Sequence, residues 1–477
     1  MKTNQELRSR YQFTIFLLGL NILLSLVQGA VEALAGYRFY LFSPFFEPWL
    51  ILLTVVATLL QLLLLWYFWR NNYILIAITF GLTFIGNLAY TGLIFLALFN
   101  SELQQFMPTA IVILIGLGAL FSLSLFVSKT REKRWLFWAG IIGLPIHLIV
   151  LGLQLWVMQT GTEEAFQIYT NSMPWLIVLL ALLLVFYILH FKEELGTLTD
   201  TSNATPSKRY MATRMVLSLL SVVAVLIVLR AAASEYSWEK GKVNRASRMV
   251  GDFMAKTYIN TENDTLKYRL LLPKNYDNTR KYPLVVNLHN GGGVGNDNLI
   301  QLDATNTAQL LATDEYREKY PAILFLPQST TQAGFGGMNR GEGNAKLVFE
   351  AMEQLEQVYN IDTNRRYLIG MSVGGYGTWH FMGLHPEKFA AGVPICGGGD
   401  PVTAEKMTAI PIWAFHGKRD KAVPVHLTQD MITAIRAAGG TPKYTELSAG
   451  HLIWDEVKNT SGLWEWMFAQ QKTNSLP

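Results

Sequence analysis

The residues best suited to do chemistry are Ser372, Asp420 and His451, which occur in that order along a chain of 477 residues. A hydroxyl, a carboxylate and an imidazole can together make an activated nucleophile. The imidazole takes the serine proton as general base, while the carboxylate fixes its tautomer and stabilises its cation. Ser372 lies in Gly370-Met371-Ser372-Val373-Gly374, a Gly-x-Ser-x-Gly turn. The turn is entered from the apolar run Arg366-Tyr367-Leu368-Ile369 and left through a helix-compatible segment ending near Leu384. Such a turn between a buried strand and a helix strains the serine backbone and admits only small residues two before and two after it. Gly370 and Gly374 fill those places. Glycine-rich serine turns also occur as plain structural loops, so the assignment rests on the partners.

Those partners follow strand-like runs. Asp420 comes in the loop beyond Pro411-Ile412-Trp413-Ala414-Phe415, and His451 ends Ser448-Ala449-Gly450-His451 beyond Lys443–Leu447. A lone loop Asp or His is ordinarily just solvated, but Ser…Asp…His is the chain order that α/β hydrolases use. The oxyanion formed when a hydroxyl attacks a carbonyl needs N–H donors. Val373 is one candidate, at the start of a helix whose N-terminal N–H groups face the reaction centre. The second is expected from His289-Asn290-Gly291-Gly292-Gly293, with Gly291 the first assignment and Asn290 the alternative. That glycine run lacks the Lys-Ser/Thr ending of a P-loop and the glycine spacing of a dinucleotide fold. Trp379, Met338 and Trp454 are candidate walls of a substrate pocket, although the spacing of Trp379 along its helix also suits a core position.

The elements that must position these groups alternate. Strand-like runs at Lys267–Leu272, Pro283–His289, Ala322–Leu326, Tyr367–Ile369, Ala391–Ile395 and Pro411–Phe415 are separated by helix-compatible segments. This alternation predicts an α/β domain with a mostly parallel sheet over residues 264–477, preceded by a connector over 234–263.

Residues from about 266 to 471 resemble the predicted peptidase/esterase group of the α/β-hydrolase superfamily, related to polyhydroxybutyrate-depolymerase-like and feruloyl-esterase-like enzymes. The segments that carry the resemblance are Leu288-His289-Asn290-Gly291-Gly292, Phe325-Leu326-Pro327-Gln328, Gly370–Trp379, Phe389–Gly399, Trp413–Asp420 and Gly450-His451. The resemblance implies an α/β-hydrolase fold with Ser372 as nucleophile, Asp420 as acid and His451 as base, and no metal or organic cofactor. Asn290 departs from the His-Gly usual at the start of the oxyanion loop, though asparagine tolerates left-handed backbone better than most residues. Carboxylic ester hydrolysis is the expected reaction, on a small-molecule, glycan-acyl or peptide substrate. The alternatives are a serine peptidase of the prolyl-oligopeptidase-like type, an acyltransferase, or a seven-span receptor or transporter with a ligand-binding hydrolase-like domain.

The N-terminal half differs in kind. Hydrophobic residues make up 51% of the chain and the mean hydropathy is +0.24, yet roughly two-thirds of the charged residues follow residue 233. Seven apolar runs of membrane-spanning length are expected near Tyr11–Leu34, Trp49–Trp69, Tyr73–Phe99, Met107–Val127, Trp135–Met158, Met173–Phe191 and Met215–Leu229. A lipid bilayer is thus the expected partner of this half. The net charge of +4 argues against nucleic acid, and a single cysteine, Cys396, excludes an intramolecular disulfide or a cysteine-built metal site.

With the N-terminus in the cytoplasm, one side of the spans carries Lys2, Arg8, Arg10, Arg70, Lys129, Arg131, Lys133, Arg134, Lys192, Lys208, Arg209 and Arg214. The opposing inter-span loops carry only Arg38. The positive-inside rule then predicts a multi-pass plasma-membrane protein whose catalytic domain is extracytoplasmic. In intact bacterial cells, alkaline phosphatase fused to the C-terminus should be active and green fluorescent protein fused there dark. The reverse pattern would place the domain in the cytoplasm.

Overall fold

The computed structural model describes residues 2–97, 101–128, 133–198, 208–331, 333–338 and 340–472. Lys129 and Arg131 of the cationic side lie outside these residues. The chain divides into two compact units, Met1–Ser237 and Trp238–Pro477.

The first unit is helical. Seven stretches are long and apolar enough to cross a membrane: Asn4–Ala35, Phe46–Arg70, Ile74–Ala97, Met107–Val127, Arg134–Thr160, Gln167–Thr197 and Lys208–Arg248. These are the seven runs expected from hydropathy, extended at most ends by polar turns. Leu17, Leu18, Trp49, Tyr67, Phe68 and Phe191 are fully buried between helices, whereas Leu62, Ile85, Ile149, Leu219 and Leu226 are exposed. A helix apolar on its outer face suits a surrounding hydrocarbon solvent, where every backbone polar group must bond within the helix. Polar side chains bond within the unit: Asn21 donates to the Leu17 carbonyl of its own helix, and His147 lies 3.3 Å from Ser122 Oγ of a neighbouring one.

The second unit is an eight-stranded sheet flanked by helices. Its strands are β1 Met254–Ile259, β2 Thr265–Leu271, β3 Tyr282–Leu288, β4 Ile323–Pro327, β5 Ile361–Met371, β6 Ala391–Ile395, β7 Trp413–Gly417 and β8 Lys443–Leu447. Their spatial order is β1-β2-β4-β3-β5-β6-β7-β8. The first two pairings, β1 with β2 and β2 with β4, are antiparallel, and the rest are parallel. All seven residues of β3 are buried because helices cover both faces, which is why it reads as a continuous apolar run. Alternate residues face two cores. Leu284, Val286 and Leu288 join Leu368, Met352 and Phe381 on one side, while Val285 joins Leu324, Tyr367, Val393 and Trp464 on the other. Each such buried side chain stabilises the domain by about 1.5–3 kcal/mol.

The expected connector over 234–263 is corrected here. The helix Lys208–Arg248 continues through its first part, and its last part holds β1. Ala246 and Phe253 belong to the core of the second unit, and Arg245 makes a two-pronged ion pair with Asp303 at 2.8 Å. A fragment beginning near residue 260 would therefore lose an edge strand and part of the core.

Candidate active site

β5 ends at Met371 and the helix Val373–Leu384 begins two residues later, leaving Ser372 alone at the turn with φ 59° and ψ −117°. A non-glycine residue held there costs about 1–3 kcal/mol and persists only where its surroundings enforce it. The enforcement is visible. The Ser372 N–H donates to the Ile395 carbonyl of β6 at 2.9 Å, and the Ser372 carbonyl accepts the Tyr376 N–H at 3.0 Å. A Cβ at Gly370 would strike the Gly374 backbone, and one at Gly374 would strike the Leu288 carbonyl of β3. The turn thus exists only with those glycines.

β7 and β8 run in parallel, and their following loops are stitched together by Lys418 N–H to Leu447 O at 2.8 Å and Arg419 N–H to Ala449 O at 2.9 Å. This brings His451 Nδ1 to 2.6 Å from Asp420 Oδ2. The other oxygen, Oδ1, accepts the Ala422 and Val423 N–H groups, each at 2.8 Å. Nδ1 is committed to the carboxylate, so Nε2 is the nitrogen of His451 left to accept a proton. Burial alone would favour protonated Asp420. Hydrogen bonds from His416, His451 and Val423 outweigh it and hold the carboxyl well below the usual range. Asp400, another loop carboxylate, is exposed and caps its own turn by accepting the Val402 N–H at 3.1 Å.

The glycine run after β3 forms a tight turn, Gly291–Gly293, beside the elbow. The Asn290 N–H donates to Ala304 O, the Gly292 N–H to the Asn290 side chain, and the Gly293 N–H to Asn290 O. Among the described residues, the Gly291 amide is the one in this stretch with no intramolecular partner. A Cβ on Gly291 would lie 3.7 Å from Val373 Cγ2, so the Gly291 and Val373 backbones are neighbours.

The candidate pocket walls fare differently. Trp379 is buried at 1% exposure within the hydrophobic core of the domain. Met338 is half-buried in a turn bridged by Gly337 and Gly341, and Gly337 lies against the Tyr376 carbonyl and His380 Cβ of the elbow helix. Trp454 opens a short helix and borders a small void with Asn287, Thr305, Gly370 and Met371. Nearby, the Arg340 guanidinium sits 4.5 Å over the Tyr376 ring.

No protein-family model matches the chain. The bifunctional acetylxylan esterase/xylanase XynS20E of Neocallimastix patriciarum is 32% identical over 143 residues, 29% of this chain and 19% of that protein. Probable feruloyl esterase C of Aspergillus terreus is 26% identical over 159 residues, 33% of this chain and 56% of that protein. These relatives are esterases by name, and the C-terminal domain has an α/β-hydrolase fold. A solved thermostable esterase is 35% identical, with 47% of this chain and 64% of that one covered and a TM-score of 0.43. The chain spans less than two thirds of the length of each of these proteins.

The hydrolase domain also uses a residue to which sequence reading gave no role. His289 is fully buried: its Nδ1 donates to the Asn290 carbonyl at 2.7 Å, its Nε2 accepts the Ser329 N–H at 2.9 Å, and its ring meets Phe335 edge-on. It props the Gly291 turn from behind. Its adjacency to Asn290 was the available signal, but nothing in the sequence shows that both ring nitrogens are spoken for. Burial pushes the imidazole down to about 4 from an ordinary 6.5, against a smaller opposing contribution from the Asn290 carbonyl. Between those values the unfolded chain binds a proton that the folded domain refuses, so stability rises with pH across this window and is lost as pH falls through it. The loss is about 3 kcal/mol at most. Thermal melts of the detergent-solubilised chain should fall as the pH is lowered from neutrality through this window, and His289→Asn should flatten that fall. An unchanged slope in the variant would remove His289 as its source.

Proposed function

We propose that the chain is a membrane-anchored serine esterase whose hydrolase domain lies outside the cytoplasm. The observation that carries this reading is the buried Asp420–His451 pair at 2.6 Å, on loops adjoining a strained elbow serine. In the proposed cycle, His451 Nε2 takes the Ser372 proton as Oγ bonds to the substrate carbonyl carbon. The resulting oxyanion receives the Gly291 and Val373 N–H groups. Collapse expels the alkoxide, which takes the proton from His451, and leaves an acyl group on Ser372. Water then attacks with His451 again as base, releasing the acid. Asp420 stays ionised throughout, holding the ring and balancing its transient charge.

The named activities of the relatives, acetylxylan esterase and feruloyl esterase, support acyl groups carried on carbohydrate hydroxyls as the first substrate class to test. Ester cleavage also suits the site, because an alkoxide leaving group demands less of the acid step than an amine. The excess of cations on one side of the spans supports an exported domain.

Replacing Ser372 with Ala should lower p-nitrophenyl acetate turnover by about 10⁴-fold or more and abolish fluorophosphonate labelling. The melting temperature should change little, since the hydroxyl adds almost no packing. Near-normal turnover by the variant would sink the assignment.

A further inference from the structure

The seventh membrane-length helix, Lys208–Arg248, turns only part of its surface to the bundle. Leu217, Ser221 and Val228 share a buried face, whereas Met215, Val216, Leu219 and Val222 are each more than half exposed. Near its start this helix meets the first one, Asn4–Ala35, through rings: Tyr210 lies 5.0 Å from Phe13, and the Arg214 guanidinium sits 5.0 Å over Phe16. Alongside this contact runs an open groove of about 860 Å³, whose lining includes Phe16, Arg214, Met215, Val216, Leu219 and Val222.

Arg214 is the one charged residue of that lining. Elsewhere in this unit Arg10, Arg38, Lys133 and Arg134 each pair with a carboxylate, but among the described residues no carboxylate pairs with Arg214. From Arg214 to Val222 the helix rises about 12 Å, close to the ~15 Å of hydrocarbon in one leaflet. An acyl chain laid along these side chains would bring its headgroup to the level of the guanidinium. We infer that the groove binds one anionic phospholipid, with its phosphate on Arg214 and an acyl chain along Met215–Val222. The inference is independent of the catalytic reading.

The chemistry of the two ends selects this ligand. A guanidinium offers a phosphate two parallel N–H bonds, which an ammonium cannot match in geometry. A headgroup with net negative charge gains more than a zwitterionic one, whose own cation offsets the phosphate. The excess of cations on this side of the spans also faces the leaflet in which anionic lipids set a negative surface potential. Arg209 supplies an internal comparison. It carries the same charge five residues earlier, about 140° around the helix, and does not line the groove. A diffuse attraction of lipid to the cationic side would use both arginines alike, whereas a built site uses Arg214.

The test is a native mass spectrometry titration of the full detergent-solubilised chain with dioleoyl phosphatidylglycerol and, separately, dioleoyl phosphatidylcholine. One phosphatidylglycerol should bind more tightly than any phosphatidylcholine. Arg214→Gln should weaken the phosphatidylglycerol adduct by about five-fold and leave phosphatidylcholine unchanged, and Arg209→Gln should change neither. Leu219→Trp, which fills the groove and keeps the charge, should also weaken the adduct. Equal affinity for the two lipids, or equal losses from Arg214→Gln and Arg209→Gln, would overturn the inference. A second measurement needs no variant. A phosphatidylglycerol with a diazirine in its acyl chain, irradiated with the unaltered chain, should label the tryptic peptide of residues 215–230, and excess phosphatidylglycerol but not phosphatidylcholine should compete. Labelling of that peptide that both lipids compete equally, or no labelling there, overturns the inference whatever the variants do.

Discussion

A carboxylate with none of its side chain exposed to water is the constraint around which the hydrolase domain is assembled. Taking such a charge out of water costs several kcal/mol unless donors replace the lost hydration. Here the replacements come from three places: two backbone N–H groups of its own loop, His451 from the loop after β8, and His416 from the end of β7. His451 would not be in reach without the parallel pairing of β7 and β8. The sheet therefore does more than supply a core. It aligns strand ends so that one buried charge is satisfied and one imidazole is oriented.

The same logic explains the neighbouring strands. β3 and β5 are adjacent although a long stretch of chain separates them, so the turn after one places Gly291 beside Val373 after the other. Ser372 is held in a disfavoured conformation by the Ile395 carbonyl of β6 and by the contact of Gly374 with Leu288 of β3. The strained serine, the glycine turn and the His451 imidazole thus lie beyond the carboxyl ends of neighbouring parallel strands, where an open α/β sheet leaves room for a ligand.

Much of this was legible in the residues because parallel strands buried on both faces read as unbroken apolar runs, and because the elbow admits so few residue types. The seven membrane-length helices were legible for the same reason: hydrocarbon outside and packing inside leave little place for charge. β1 was not, since Met254–Ile259 is a largely exposed edge strand with Lys256 and Thr257 in its middle, and polar residues of that kind read as connector. Trp379 lies in the core, the position that its spacing along the helix also suited. His289 and His416 escaped for a different reason. Their roles lie in bonds to carbonyls and amides, and a sequence shows which side chains are present but not which backbone groups they will meet.

Covalent catalysis by Ser372 is the claim from which the rest follows, and a trapped intermediate tests it most directly. The solubilised chain, mixed with p-nitrophenyl acetate, quenched in acid within its first turnovers and digested with trypsin, should carry one acetyl group on the peptide spanning residues 367–388, at Ser372. That label should disappear on a chase without substrate. Turnover with no acetylated Ser372 at any time, or with the acetyl group on another residue, would contradict it.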